Sequence, residues 1–214
     1  VDKGKLSKQD KKDIEQSQAQ LRAVGLIGPD VDIVDAVSSL QTSGVLAYYD
    51  PATKKVTVKG TSTDDVSIRV TLAHELTHAL QDQNFDLSKL EKAAAKANAA
   101  TPLRTVVEGD AVRIQDAYLA TLPQADKDAY QSEEAKTSDD AQAEITAQKV
   151  PDALSVSFQA PYALGQTMLV AVIAKDKVAG VNALFRHPPT TDASYVTPST
   201  VLEHRVFPKV APPK

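Results

Sequence analysis

Residues 74–78 read His-Glu-Leu-Thr-His. On a helix, positions i and i+4 share a face, so His74 and His78 can turn two imidazoles toward one metal ion. Glu75 follows the first imidazole directly, which sets its carboxylate beside a water on that ion. Two nitrogen ligands and a base at this spacing are the parts that metal-assisted hydrolysis of a peptide bond requires. The flanks favour a helix: Val70, Leu72, Ala73, Leu76, Ala79 and Leu80 are apolar, and Pro102 is the sole Pro or Gly between Thr61 and Val107.

A third ligand must come from elsewhere, because the chain has no cysteine and 4 histidines. In the stretch Val-Val-Glu-Gly-Asp-Ala, Glu108 is flanked by apolar residues near the start of a helix expected over 103–122. A carboxylate on an apolar stripe is costly unless it is paired or bound to metal. Glu108 can therefore reach back to the metal from a second helix, or it is a first-turn glutamate favoured by the helix dipole. Gly109 costs that helix about 1 kcal/mol relative to alanine; close packing against the metal-bearing helix would be a reason for it. Asp110 points elsewhere and suits a supporting or salt-bridge role. Gln81 and Asp82, one turn after His78, can hold a ligand imidazole by its other nitrogen or belong to an exposed polar face.

These residues need elements to position them. The metal helix should begin at a cap within Ser62–Asp65 and end near Gln83, with Ser88 capping a short helix over 88–99. Ahead of it, Val45–Tyr49 and Lys55–Lys59 are strand-like runs joined by Asp50-Pro51-Ala52-Thr53-Lys54, so a β-hairpin is expected. Its edge could receive an extended substrate or be structural alone. Residues 1–25 read as an N-terminal helical arm with Ser7 and Asp10 as a capping box and Gly25 as its stop. Pro29 and Asp30 open a second helix that Gly44 closes. Residues 123–150, acidic and poor in large apolar side chains, read as a polar helical hairpin or a partly mobile insertion. Ala153–Phe158 suggests an extended segment, Pro161 the start of an apolar helix, and Gly180 a break before a shorter helix. Residues 187–214 hold half of the prolines and read as an extended wrap. The whole, 1–214, is expected to be a single α+β, mostly α domain with a small hairpin ahead of the metal helix.

Composition bounds the function. The net charge of −4 gives no basic face for nucleic acid, and no apolar run is long enough to span a bilayer. The chain begins at Val1, so a signal or anchor is expected to have been removed. An extracellular or cell-envelope location and a monomer are expected.

The chain resembles a group of small bacterial and archaeal gluzincin-like zinc metallopeptidases. The likeness rests on Ala73-His-Glu-Leu-Thr-His-Ala-Leu-Gln-Asp-Gln83 with Phe85-Asp86, on the Tyr-Asp-Pro of the hairpin, and on Glu108-Gly-Asp-Ala111. Pro161-Tyr162 with Gly165, Pro188-Pro-Thr-Thr191 and Val201-Leu202-Glu203-His204 complete it. The metzincin pattern is excluded, since positions 81 and 84 are Gln and Asn. The resemblance implies a gluzincin-like fold, one zinc ion on His74, His78 and Glu108, and Glu75 as general base. A zinc-bound water activated by Glu75 would attack the peptide carbonyl, and Glu75 would pass the proton to the leaving amine. The oxyanion needs a further donor, for which Tyr162, Tyr195, His187 and His204 are candidates, with His204 and Tyr195 put forward as catalytic. The family's last segment is stretched here by Asp192–Ser199, and Glu203 precedes His204. The alternative is a latent or non-catalytic zinc-binding envelope domain that binds protein partners.

Overall fold

The computed structural model describes residues 7–43, 45–59, 64–203 and 205. Among these the protein is mostly helical, with one small antiparallel two-stranded sheet. No helix among them is long and apolar enough to cross a membrane. The strands are β1 (Ala47–Asp50) and β2 (Lys55–Val58), where the hairpin was expected. Asp50 closes the turn between them, its carboxylate accepting from the Ala52 amide and the Thr53 hydroxyl, each at 2.8 Å. Lys54 takes φ +57° as the chain reverses.

The chain divides into two compact units. The first comprises Val1–Tyr48, Thr57–Leu72 and Leu119–Ala160. Its first helix, α1 (Lys8–Ala23), ends where Gly25 adopts φ +73° and lets the Leu26 amide reach back 2.9 Å to the Leu21 carbonyl. Only glycine takes that conformation without strain. Helix α2 (Ile33–Thr42) is capped by Asp32, whose Oδ1 accepts from the Val34 and Asp35 amides. The cap is therefore two residues later than Asp30, and Gly44, expected to close the helix, lies outside the described residues. The acidic stretch after Pro123 forms one continuous helix, Gln124–Ala147, and not a helical hairpin: nothing between Gln124 and Ala147 is Gly or Pro. It carries Tyr130 and Ile145 inward. Ala36, Leu40, Ile145 and Val150 form this unit's apolar cluster, with Leu154 and Phe158 against it.

The second unit comprises Tyr49–Val56, Ala73–Tyr118 and Pro161–Lys214. Helix α3 (Val66–Phe85) delivers the metal-motif residues to it. It starts at Asp65, whose Oδ1 accepts from the Ser67 amide at 2.7 Å. The chain then turns at Asp86, φ +54°, and Asp86 rather than Ser88 caps α4 (Leu87–Lys96) through the Lys89 amide. Helix α5 (Ala100–Thr121) begins before Pro102 instead of after it, because proline is tolerated in a first turn, where its missing N–H has no partner to lose. After α6 (Gln124–Ala147), α7 (Asp152–Arg186) continues through Pro161. It replaces the extended segment expected over 153–158, and its break falls at Lys177, φ +57°, not at Gly180. Gly180 has a different reason: a Cβ there would lie 2.8 Å from Val172 Cγ1 and 2.6 Å from Asp176 Cβ. The C-terminal segment is not wholly extended, since α8 (Ala193–Val196) and α9 (Ser199–Leu202) interrupt it.

The core of this unit is Leu87, Val106, Met168, Leu169, Val172, Val181 and Phe185. Helices α5 and α7 meet backbone to backbone at two glycines. A Cβ on Gly109 would fall 2.4 Å from the Gly165 carbonyl carbon, and one on Gly165 would fall 2.2 Å from the Thr105 oxygen. Gly109 thus serves close packing against α7, not against the metal-bearing helix.

Candidate metal centre

His74 and His78 lie one turn apart on α3, with ring centroids 4.7 Å apart and planes at 83°. Glu108 enters from α5. Its Oε2 lies 3.4 Å from Nε2 of His74 and 3.4 Å from Nε2 of His78. It is buried and, among the described residues, accepts no hydrogen bond. These three side chains present their donor atoms within 4.8 Å of one another and could hold a metal ion. Ligand atoms about 2.0–2.1 Å from a tetrahedral ion are about 3.3–3.4 Å apart. Both measured separations meet that value. The donor set, two imidazoles and a carboxylate, suits a divalent transition-metal ion.

The opposite nitrogens of the rings are held by amides. His74 Nδ1 is 3.0 Å from Gln115 Oε1, and His78 Nδ1 is 3.0 Å from Gln81 Oε1. Gln81 is itself fixed, because its Nε2 donates to the Val107 carbonyl and to Asp110 Oδ2, each at 3.1 Å. With both amide hydrogens used on acceptors, its oxygen must face His78, so His78 carries its proton on Nδ1 and turns the Nε2 lone pair toward Glu108. Asp110 is locked in turn by the Arg113 guanidinium at 2.7 and 3.1 Å. The sequence left Gln81 and Asp82 open as imidazole supports; Gln81 takes that place. Asp82, one residue on, faces the hairpin, where it accepts from the Tyr49 hydroxyl at 2.6 Å, the Lys54 ammonium and the Leu87 amide.

Glu75 is 9% exposed, and its Oε2 accepts from the Tyr49 amide at 2.7 Å. Strand β1 therefore spends that amide on Glu75, and Tyr49 is closed to an added strand. Burial pushes the Glu75 carboxyl above the usual range, against the opposing pull of both imidazoles and of the Tyr49 N–H. Burial would do the same to Glu108, but there the two imidazoles prevail and hold the carboxyl well below its usual range. Burial pulls His78 down, yet the Glu108 carboxylate and the Gln81 oxygen outweigh it and raise its proton affinity. Two carboxylates of one site are thus tuned in opposite directions, one toward binding protons and one toward staying charged.

Of the aromatic candidates, Tyr162 stands at the site. Its ring stacks on His74 at 6.3 Å and 26°. Burial, followed by the charge of Glu108, raises its hydroxyl's pKa. Tyr195 instead packs on the apolar cluster of α5 and α7, and burial together with Asp192 pushes its pKa up to about 12. His187 is exposed at the end of α7, lining a cleft of about 680 Å³ with Pro188, Thr191 and Arg205. His204 lies outside the described residues. Arg104 was not anticipated: its Nη2 donates to the Tyr162 hydroxyl at 3.3 Å, and its Nε is 3.6 Å from Glu108 Oε1. A signal for it existed, since positions 104, 108 and 115 fall on one helical face and carry Arg, Glu and Gln.

The fold and the site together define a mostly helical protein carrying a His-His-Glu group able to hold a metal ion. No protein-family model matches the chain, and no curated protein or solved structure matches it either.

Proposed function

We propose that this protein is a zinc-dependent peptidase of gluzincin type, with His74, His78 and Glu108 as the metal ligands and Glu75 as the general base. The observation that carries the reading is the buried, hydrogen-bond-free Oε2 of Glu108, equidistant from the two imidazole nitrogens. Zinc in that position would supply Lewis acidity toward a peptide carbonyl and its attacking water. The chain's own residues supply the rest. Glu75, with a proton affinity raised by burial, accepts the proton of the attacking water and returns it to the leaving amine. Its alignment comes from the Tyr49 amide, which engages one oxygen and leaves the other to do the transfer. Gln81 and Gln115 hold the imidazoles in orientation. The Tyr162 hydroxyl, beside His74 and kept protonated by its raised pKa, donates to the developing oxyanion. An extended peptide, handled outside the cell or in its envelope by a monomer, is the substrate and setting that this reading carries.

One observation favours the latent alternative. The ligand side chains are 11–13% exposed, so a substrate needs a path that this closed arrangement leaves narrow. Cleavage of a diverse peptide pool, read by mass spectrometry, decides between the two. Zinc-loaded wild type should cut at recurrent positions and Glu75→Gln should not. If neither protein cuts while both bind one zinc ion, the peptidase reading fails and the latent domain replaces it.

A further inference from the structure

The second unit holds a cleft of about 860 Å³ between the end of α3, α4, α5 and the part of α7 that follows the break at Lys177. We propose that this cleft binds a small amphiphilic anion, an aliphatic chain ending in a carboxylate. Its volume lies within the roughly 300–1,000 Å³ of small-molecule sites. None of His74, Glu75, His78 and Glu108 lines it, so it is a separate place from the metal centre. The two are nevertheless joined, because Gln81 and Asp110, whose hydrogen bonds fix His78, are part of its wall.

Charge points to an anion. Lys89, Arg113 and Arg186 line the cleft against a single carboxylate, Asp110. Asp110 is already taken: Oδ1 accepts from the Arg113 guanidinium at 2.7 and 3.1 Å, and Oδ2 accepts from Gln81 at 3.1 Å. That ion pair is neutral as a whole. Among the described residues no carboxylate closes on Lys89 or Arg186. Two cations therefore share one cleft in a chain whose net charge is −4, and an anion between them offsets their repulsion. Arg186 is also placed: its Cζ lies 6.0 Å from the centre of the Phe85 ring, which stations a planar fork at the wall.

The apolar lining sets the rest of the ligand. Phe85 stacks on Phe185 at 4.6 Å and 11°, and Leu90, Ile114 and Val181 extend that surface. Leu80 and Val178 line the cleft too, yet they remain 59% and 56% exposed. Large apolar side chains left in water beside two cations suit a ligand that covers them with hydrocarbon and sets its charge against Lys89 and Arg186. An acidic peptide fits less well, because its backbone would need hydrogen-bond partners on this surface. Two of the three side-chain amides lining the cleft are committed to the fold, Gln81 to the Val107 carbonyl and Asp110, and Asn84 to the Leu80 carbonyl.

Calorimetric titration of the full chain with decanoate, below its micellar range, tests the site. Wild type should bind one equivalent with the same affinity before and after treatment with a chelator. Acetate and decyltrimethylammonium should each bind at least about tenfold more weakly, the first for want of a chain and the second for the wrong charge. Octanoate should be weaker by about tenfold, since a buried methylene is worth up to about fourfold. Lys89→Gln and Arg186→Gln should each weaken decanoate by about tenfold, whereas Lys136→Gln on the exposed face of α6 should leave it unchanged. Lys89 is exposed and its side chain holds no other element, so that variant should fold as wild type does, which circular dichroism checks. Absence of saturable decanoate binding would overturn the proposal. So would binding that needs a metal ion, which would put the carboxylate at the His-His-Glu group instead. Equal affinity in Lys89→Gln and Arg186→Gln would remove the two cations from the site, and equal binding of decyltrimethylammonium would leave an apolar surface without charge selection. Hexaglutamate binding more tightly than decanoate would replace the amphiphile with an acidic peptide.

Discussion

Gly109→Ala tests the packing that places the site, because two opposing effects of known size act on one atom. Alanine is the better helix former by about 1 kcal/mol, so in an exposed helix the change would stabilise. Here the new Cβ would sit 2.4, 2.6 and 2.7 Å from the carbonyl carbon, oxygen and Cα of Gly165. Carbon atoms settle near 3.5–4.0 Å, so α5 and α7 must part by about 1 Å. The obstacle is backbone, which cannot swing aside as a side chain can, and the strain belongs near the upper end of the 1–3 kcal/mol that overpacking costs. The net is a loss of about 2 kcal/mol. Gly165→Ala, whose Cβ would meet the Thr105 oxygen at 2.2 Å, should cost as much. The double variant should cost clearly less than the sum, since helices already parted by one methyl admit the second. Urea unfolding followed by circular dichroism measures all three. A Gly109→Ala protein as stable as wild type, or strict additivity of the pair, would refute the close approach. Tyr162 lies one turn before Gly165, so the same separation draws its ring away from His74.

Zinc at a hundred times its dissociation constant should raise stability by about 2.7 kcal/mol, seen as a higher thermal midpoint that a chelator abolishes; Glu108→Ala should remove most of that shift. Gln81→Leu unfastens His78 without touching the metal and should weaken zinc binding by about 10–100-fold, measured by competition with a chromophoric chelator; unchanged affinity would remove Gln81 from the site. Glu75→Gln should retain one zinc ion per chain and lose about 10²–10⁴-fold in peptide cleavage. Asp82 is pushed up by burial but pulled down further by Lys54, Tyr49 and the Leu87 amide, so its folded pKa lies below its unfolded one. Its contribution is then complete above the unfolded value of about 3.9 and fades as pH falls through the folded value. Asp82→Asn should flatten the loss of stability with acidification in that range, and an unaltered acid profile would contradict the assignment.

What could be read from the chain depended on how local the cause was. Helix α3 was legible because its cap, apolar flanks and two-histidine spacing all lie within 20 residues, and the hairpin because Asp50-Pro51 sets its own turn. Glu108 was legible as a cost, a carboxylate among valines, and in the structure it meets His74 and His78, 30 residues or more back along the chain. The partner of Gly109 was not legible. A glycine announces close approach but carries no information on which helix approaches. Pro161 misled for a similar reason: it forfeits one hydrogen bond, and the packing of Met168, Leu169 and Val172 outweighs that loss and keeps α7 continuous. Tyr162 and Tyr195 were indistinguishable as tyrosines in sequence, since what separates them is a stack on His74 against a seat on the apolar cluster.

The case for a cation at this site can be made from hydrogen bonds alone. Around it, demand is met almost everywhere: Gln81 and Asp110 satisfy each other, Asp82 takes three donors, and the Nδ1 atoms of both histidines face amide oxygens. In its neutral form His78, with its proton on Nδ1 toward Gln81, has a bare lone pair on Nε2. That lone pair faces Glu108 Oε2 at 3.4 Å, and Oε2 brings only lone pairs and negative charge of its own. Such a meeting is repulsive, and a buried carboxylate oxygen with no hydrogen-bond donor is costly besides. A proton can relieve one His–Glu pair at a time, and at 3.4 Å it makes a poor hydrogen bond. A divalent ion accepts electron pairs from all three atoms at once and cancels the carboxylate's charge. The fold therefore holds apart three donors that a single metal ion would draw together.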